Sequence, residues 1–102
     1  MSSRRFNLVA EVLEREMSAS PADVARGLES AFPGAVKGGP LAFRVDALGA
    51  AMDIDLMLGP ERVIALLRLP TLRVRIRFAA GDAAARAKML ARFDLATRRG
   101  GG

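Results

Sequence analysis

Met52-Asp53-Ile54-Asp55-Leu56-Met57-Leu58-Gly59-Pro60-Glu61-Arg62-Val63-Ile64-Ala65-Leu66-Leu67-Arg68-Leu69-Pro70-Thr71-Leu72-Arg73-Val74-Arg75-Ile76-Arg77-Phe78 decides the fold. In its last seven residues apolar and basic side chains alternate without exception, and only a strand changes face at every residue. Leu72, Val74, Ile76 and Phe78 therefore point inward, and Arg73, Arg75 and Arg77 point out. Pro70-Thr71 is short enough for a two-residue hairpin loop, which predicts a preceding strand over Val63–Leu69 with Leu67 opposite Val74 and Ala65 opposite Ile76. Proline is not the residue such a loop favours, so this register is fixed less firmly than the next. Gly59-Pro60-Glu61-Arg62 supplies a turn that predicts Met57 opposite Ile64, Asp55 opposite Leu66 and Asp53 opposite Arg68. The whole stretch reads as a β-meander.

These pairings predict an outward face with Met57, Ile64 and Leu66 at its apolar centre. Opposite charges such as Asp53 and Arg68 fix register more than they hold the fold, at roughly 0.2–1 kcal/mol per pair.

Outward from the meander, Leu41–Asp46 alternates as another strand. Leu48-Gly49 can serve as a two-residue turn, pairing Phe43 with Ile54 and Arg44 with Asp53. Arg5–Leu13 also alternates and is favoured as a strand, although Glu14-Arg15-Glu16-Met17 continue with good helix formers and leave a helix open. Ser20 is a good N-cap, Pro21 suits the first helical position, and Asp23 lies near the positive end of the dipole. The helix they begin has the apolar stripe Val24, Leu28, Ala31 and Phe32 and ends before Pro33-Gly34. Gly27 inside it fits either a close approach to the sheet or a plain surface glycine. Lys37-Gly38-Gly39-Pro40 reads as a loop. Asp82 caps a second helix to about Arg98, with Ala85, Met89, Leu90, Phe93 and Ala96 on its apolar side.

The chain of 102 residues is thus expected to be a single domain, 1–102, with residues 1–4 and 100–102 as disordered tails. The predicted class is α+β: a two-layer sandwich of a five-stranded antiparallel sheet, in the order β-α-β-β-β-β-α, with both helices on one face. The first strand is expected at the edge beside Leu72–Phe78.

Composition removes much chemistry. There is no Cys, His, Trp or Tyr, and the five aromatics are all Phe. Disulfides, thiol or imidazole nucleophiles and the usual zinc, haem or iron–sulfur ligand sets are therefore excluded. Without an imidazole, Ser2, Ser3, Ser18, Ser20, Ser30, Thr71 and Thr97 lack an activating base. Asp53 and Asp55 form one carboxylate pair on a strand face, which could share a proton or hold Mg²⁺, but each has a basic neighbour and structural pairing is the simpler reading. Gly34, Gly38 and Gly39 lack the strand-then-helix context of a phosphate loop. No cofactor or metal is expected.

The net charge is +5, carried by 14 Arg and 2 Lys. Such a basic chain raises the question of nucleic acid, while Arg enrichment over Lys also follows from a GC-rich coding sequence. Arg73, Arg75 and Arg77 form a comb at about 6.6 Å spacing that could track phosphates. Sheets that read single strands interleave exposed aromatics, however, and here every Phe falls on an inward face. No apolar run spans a bilayer and no signal-peptide core follows Met1-Ser2-Ser3-Arg4-Arg5, so a cytoplasmic protein with no membrane partner is expected.

The order strand, helix opened by Ser20-Pro21-Ala22-Asp23-Val24, antiparallel meander, long C-terminal helix resembles a shortened START-like helix-grip domain, without its second short helix and about two strands. That resemblance implies binding of a lipid, hormone or polyketide between the long helix and a curved sheet. The size and the strand-glycine-strand segment from Gly39 through Leu58 are similar to the small polyhydroxyalkanoic acid system proteins. Neither resemblance brings site residues with it.

The expectation drawn from the residues is a non-catalytic binding or assembly domain. It would self-associate as a homodimer through Met57, Ile64 and Leu66 on the open sheet face, with Val9 and Leu13 alongside if the first strand lies there. The alternative is a carrier of a small apolar ligand between the sheet and the helix of Met89 and Phe93. Weak nucleic-acid binding through Arg73, Arg75 and Arg77 comes third.

Overall fold

A computed structural model describes residues 12–101, with side chains to residue 98. The expected tail at 1–4, Val9 and most of the strand expected from Arg5 lie outside the described residues. The elements are β1 (Val12–Met17), α1 (Pro21–Ala31), β2 (Val36–Gly38), β3 (Ala42–Ala47), β4 (Ala50–Leu58), β5 (Arg62–Ile64), β6 (Leu67–Leu69), β7 (Leu72–Ala80) and α2 (Ala83–Gly101). The architecture is α+β, with a five-stranded antiparallel sheet in the order β1-β7-β4-β3-β2 and two helices over it.

Ser20 caps α1 as its residue type predicts. Its hydroxyl accepts from the Asp23 N–H at 3.1 Å, and the Asp23 carboxylate accepts from the Ser20 N–H at 3.0 Å. Two of the helix's orphan donors are satisfied reciprocally in this box. Val24, Leu28 and Phe32 go into the core, with Ala31 packed against it. Gly27 faces α2 rather than the sheet: a Cβ there would lie 3.6 Å from the Ala96 carbonyl oxygen. That is ordinary van der Waals contact, so the crossing of the two helices leaves room for a methyl group there.

Leu48 and Gly49, with φ of 57° and 78°, make the two-residue turn between β3 and β4. Both central residues have the positive φ of a type I′ hairpin turn. The register it sets is Phe43 with Ile54 and Arg44 with Asp53, as the turn predicts.

The meander is corrected. Val63–Leu69 is not the sheet's middle strand. β4 pairs directly with β7, placing Asp53 opposite Arg77, Asp55 opposite Arg75 and Met57 opposite Arg73. The predicted partners Arg68, Leu66 and Ile64 are elsewhere, and Val74 and Ile76 face Leu56 and Ile54 rather than Leu67 and Ala65. The cause lies in the two patterns. β4 alternates over Met52–Leu56 and β7 over Leu72–Phe78, so their pairing buries Ile54 and Leu56 beside Ile76 and Val74 while setting aspartates across from arginines. Val63-Ile64-Ala65-Leu66-Leu67 is apolar at both parities and offers no face that matches either neighbour.

The displaced segment forms its own two-stranded hairpin, with Arg62 opposite Leu69, Val63 opposite Arg68 and Ile64 opposite Leu67. The sheet's fifth strand is instead β2, which pairs with β3 where the sequence read as a loop. β1 lies at the edge beside β7, as expected, over Val12–Met17. A register shift between Ala51 and Met52 leaves Ala79 of β7 as the additional residue.

The core lies between the sheet and the helices. Phe43, Val45, Met52, Ile54, Leu56, Leu72, Val74, Ile76 and Phe78 from the sheet meet Val24, Leu28, Phe32, Met89 and Phe93 from the helical layer. Arg15 of β1 ties the edge strand to α2 with two bonds to the Asp94 carboxylate, at 3.2 and 3.1 Å. Among the described residues no helix is long and apolar enough to cross a membrane.

Candidate functional site

Three surfaces carry the residues singled out by the sequence. The first is the sheet face turned away from the helices. Strand alternation puts on it Glu14 and Glu16 from β1, Arg73, Arg75 and Arg77 from β7, Asp53, Asp55 and Met57 from β4, Arg44 and Asp46 from β3, and Lys37 from β2. Across the sheet these fall into rows: Lys37, Arg44, Asp53, Arg77; then Asp55, Arg75, Glu14; then Met57, Arg73, Glu16. Arg75 donates to Glu14 at 3.2 Å, and Arg44 to Asp53 at 3.3 Å, with Asp46 at 3.4 Å from the same guanidinium. Among the described residues of this face five cations, Lys37, Arg44, Arg73, Arg75 and Arg77, are matched by five carboxylates, Glu14, Glu16, Asp46, Asp53 and Asp55.

The arginine comb thus keeps its expected spacing and face, but each tooth stands between acidic or apolar neighbours, and its field is offset locally. A phosphate track needs uncompensated positive charge. Asp53 and Asp55 likewise each stand opposite an arginine. Among the described residues no three carboxylates gather in a way that could hold a metal ion.

The second surface is the hairpin of β5 and β6, which takes two of the three residues expected at an apolar sheet face. Met57 remains on the sheet at 40% exposure, while Ile64 and Leu66 stand on the hairpin. The expected cluster of Met57, Ile64 and Leu66 on one sheet face therefore does not exist. What replaces it is more exposed: Leu66 is 98% exposed, Leu58 68%, Leu67 62%, Val63 60% and Ile64 50%. The tip is Ala65-Leu66, with Ala65 at φ 54°. Two-residue turns of this kind favour Gly, Asn or Asp, so an alanine–leucine tip departs from turn chemistry.

The base of the hairpin is held by polar contacts. The Gly59 N–H donates to the Thr71 carbonyl at 2.9 Å, and the Thr71 hydroxyl donates to the Pro60 carbonyl at 2.6 Å. Arg68 reaches back to Glu61 at 3.0 Å. Sequence reasoning missed the hairpin as a unit. The signal that could have found it is the five-residue apolar run without period, bounded by Arg62 and Arg68 and by two prolines, Pro60 and Pro70.

The third surface is the interval between sheet and long helix. Met89 and Phe93 are completely buried there and belong to the one packed core. Their burial is that of structural side chains filling the layer. A surface hollow of about 470 Å³ opens elsewhere, between the helices, lined by Asp23, Arg26, Gly27, Ser30, Arg92 and Leu95 among others.

Asp23 has its carboxyl held below the ordinary range, first by the backbone N–H of Ser20 and then by its hydroxyl, with Arg26 adding a smaller effect. The two Ser20 contacts belong to helix capping.

No protein-family model matches this chain, and no curated protein matches it.

Proposed function

We propose that this chain is a non-catalytic binding domain whose contact surface is the apolar hairpin from Leu58 to Leu69. The observation that carries the reading is the almost full exposure of Leu66 at the tip, together with Leu58, Val63, Ile64 and Leu67 around it. So many exposed aliphatics on one short hairpin are uncommon on a small domain unless something covers them. A two-stranded hairpin alone is also marginal in water, so a partner surface would stabilise it. The lack of imidazole and thiol supports the non-catalytic part of the reading.

Self-association, expected through an apolar sheet face, would use the hairpin instead. Met57, Leu58, Val63, Ile64, Leu66 and Leu67 make a small set beside the roughly 20–30 residues per side of a standard interface.

Retention on a hydrophobic-interaction resin tests the contact surface. The native chain should be retained and both Leu66→Asp and Val63→Asp should elute earlier, with unchanged circular dichroism. Equal retention of all three proteins would contradict the reading.

A further inference from the structure

We infer that the partner of the hairpin is an anionic lipid surface, which the tip enters while its arginines stay at the level of the headgroups. The inference rests on the hairpin being the contact surface and adds the chemistry of what it meets.

Three observations converge on it. The first is the order of residues along the hairpin. From the tip backward come Ala65-Leu66, then the pair Ile64 and Leu67, then Val63 beside Arg68, then Arg62 beside Leu69. With a rise of about 3.3 Å per residue, Leu66 stands about 7 Å beyond Arg68 and Ala65 about 10 Å beyond Arg62. Interfacial segments bury their apolar part about 5–10 Å into the headgroup and acyl boundary, so an apolar cap of this height ends where phosphates begin.

The second is charge. Arg62 and Arg68 both flank the cap, and Glu61, the carboxylate within the hairpin, pairs with Arg68 at 3.0 Å, so the hairpin keeps the positive charge of Arg62. The chain as a whole carries +5. Juxtamembrane cations of this kind are attracted to anionic lipid. The open sheet face, whose five cations are matched by five carboxylates, does not compete for the same surface.

The third is the tip itself. Aliphatic residues replace the polar or glycine residues that a tight turn favours, and Leu66 points away from the rest of the fold at 98% exposure. A flat two-fold contact between copies would leave such a projecting tip uncovered, and the apolar set is small for a stable dimer. A lipid surface encloses a projecting tip without needing a matching protein area. That no helix among the described residues is long and apolar enough to cross a membrane does not bear on contact at one leaflet, which departs from the expectation of no membrane partner.

The chain has no Trp, so Leu66→Trp gives a single fluorophore at the tip. The full chain with this substitution is titrated with phosphatidylcholine vesicles and with vesicles that also contain phosphatidylglycerol. The expected result is a blue shift of the indole emission with the anionic vesicles, quenching by bromine-labelled acyl chains, and much weaker changes with phosphatidylcholine alone. In the otherwise native chain, Leu67→Asp should lower co-sedimentation affinity at least roughly tenfold. Each of Arg62→Gln and Arg68→Gln should lower it roughly fivefold on anionic vesicles. No shift and no co-sedimentation at any phosphatidylglycerol fraction would overturn the lipid assignment. Light scattering of the lipid-free chain separates the two levels. A mass above the monomer that Leu66→Asp reduces, together with no vesicle binding, overturns the lipid assignment and keeps the hairpin as the contact surface. A monomer that binds no vesicles and whose resin retention is indifferent to Leu66→Asp overturns both.

Discussion

Asp55 of β4 stands directly opposite Arg75 of β7, and Glu14 of β1 accepts a hydrogen bond from the same guanidinium at 3.2 Å on its other side. This row is the centre of the charged face. Arg75 and Glu14 are about half exposed, so their contact is worth little by itself, about 0–1 kcal/mol. Its structural meaning lies in register: with Asp55 across from Arg75, nothing can stand between β4 and β7.

The chain contains no cysteine, so register can be read by engineered pairs. Residues directly opposite in antiparallel strands are about 4.5–5.5 Å apart at Cα, within disulfide reach. Asp55→Cys with Arg75→Cys should oxidise to an intramolecular disulfide, read by a gel shift and by intact mass. Asp55→Cys with Leu66→Cys should remain reduced as a monomer, and the reverse preference would restore the meander.

The capping box gives α1 a defined pH signature. The carboxyl of Asp23 is held below its ordinary value because it accepts from the Ser20 backbone N–H and donates nothing in return. A carboxyl with a lowered folded-state pKa contributes stability that is complete above its unfolded value and is lost as pH falls through the folded value. Asp23→Asn should therefore be less stable than the native chain at pH 7, with the difference shrinking below about pH 4. Ser20→Ala should cost about 1 kcal/mol at neutral pH in urea denaturation.

Much of this fold is legible in the residues, and the failures have one physical origin. Leu72–Phe78 could be assigned because charge and apolarity alternate there, and the Leu48-Gly49 turn gave the β3–β4 register because a two-residue loop permits little choice. Ser20-Pro21 and the stripe Val24, Leu28, Phe32 gave the first helix in the same way. Val63–Leu69 failed because both short turns flanking it are locally sound, while the competing pairing joins residues separated by the whole hairpin. The long-range pairing that buries Ile54 and Leu56 beside Ile76 and Val74, with Asp53 and Asp55 across from Arg77 and Arg75, outweighs a local turn, and nothing within either turn announces it. Glu14-Arg15-Glu16-Met17 consists of good helix formers yet is strand, because Leu13, Arg15 and Met17 turn toward the interior and the β7 edge offers hydrogen bonds. Lys37-Gly38-Gly39-Pro40 reads as a loop because it carries no period, yet Lys37 and Gly38 pair with β3 as part of β2. The candidate contact residues Ile64 and Leu66 were identifiable from their apolarity, but their surface was not, since that depended on the misread register.

Met89 and Phe93 separate a packed core from a carrier's cavity. Both are fully buried with sheet residues in one core. Phe93→Ala should lower stability by about 3–5 kcal/mol, as truncation of a packed core phenylalanine does. Thermal or urea denaturation reads this, and a cost below about 1 kcal/mol would point to a pre-existing void at that position.

The departure of residues 62–69 from the sheet is tested most directly by native-state amide hydrogen exchange, followed residue by residue in the full chain. The amides of β4 and β7 should exchange slowly, near the rate of global unfolding, whereas those of Val63, Leu66 and Arg68 should exchange within the dead time of the measurement or close to it. Slow exchange throughout Val63–Leu69, matching that of Ile54 and Ile76, would place this segment between two strands and contradict the account.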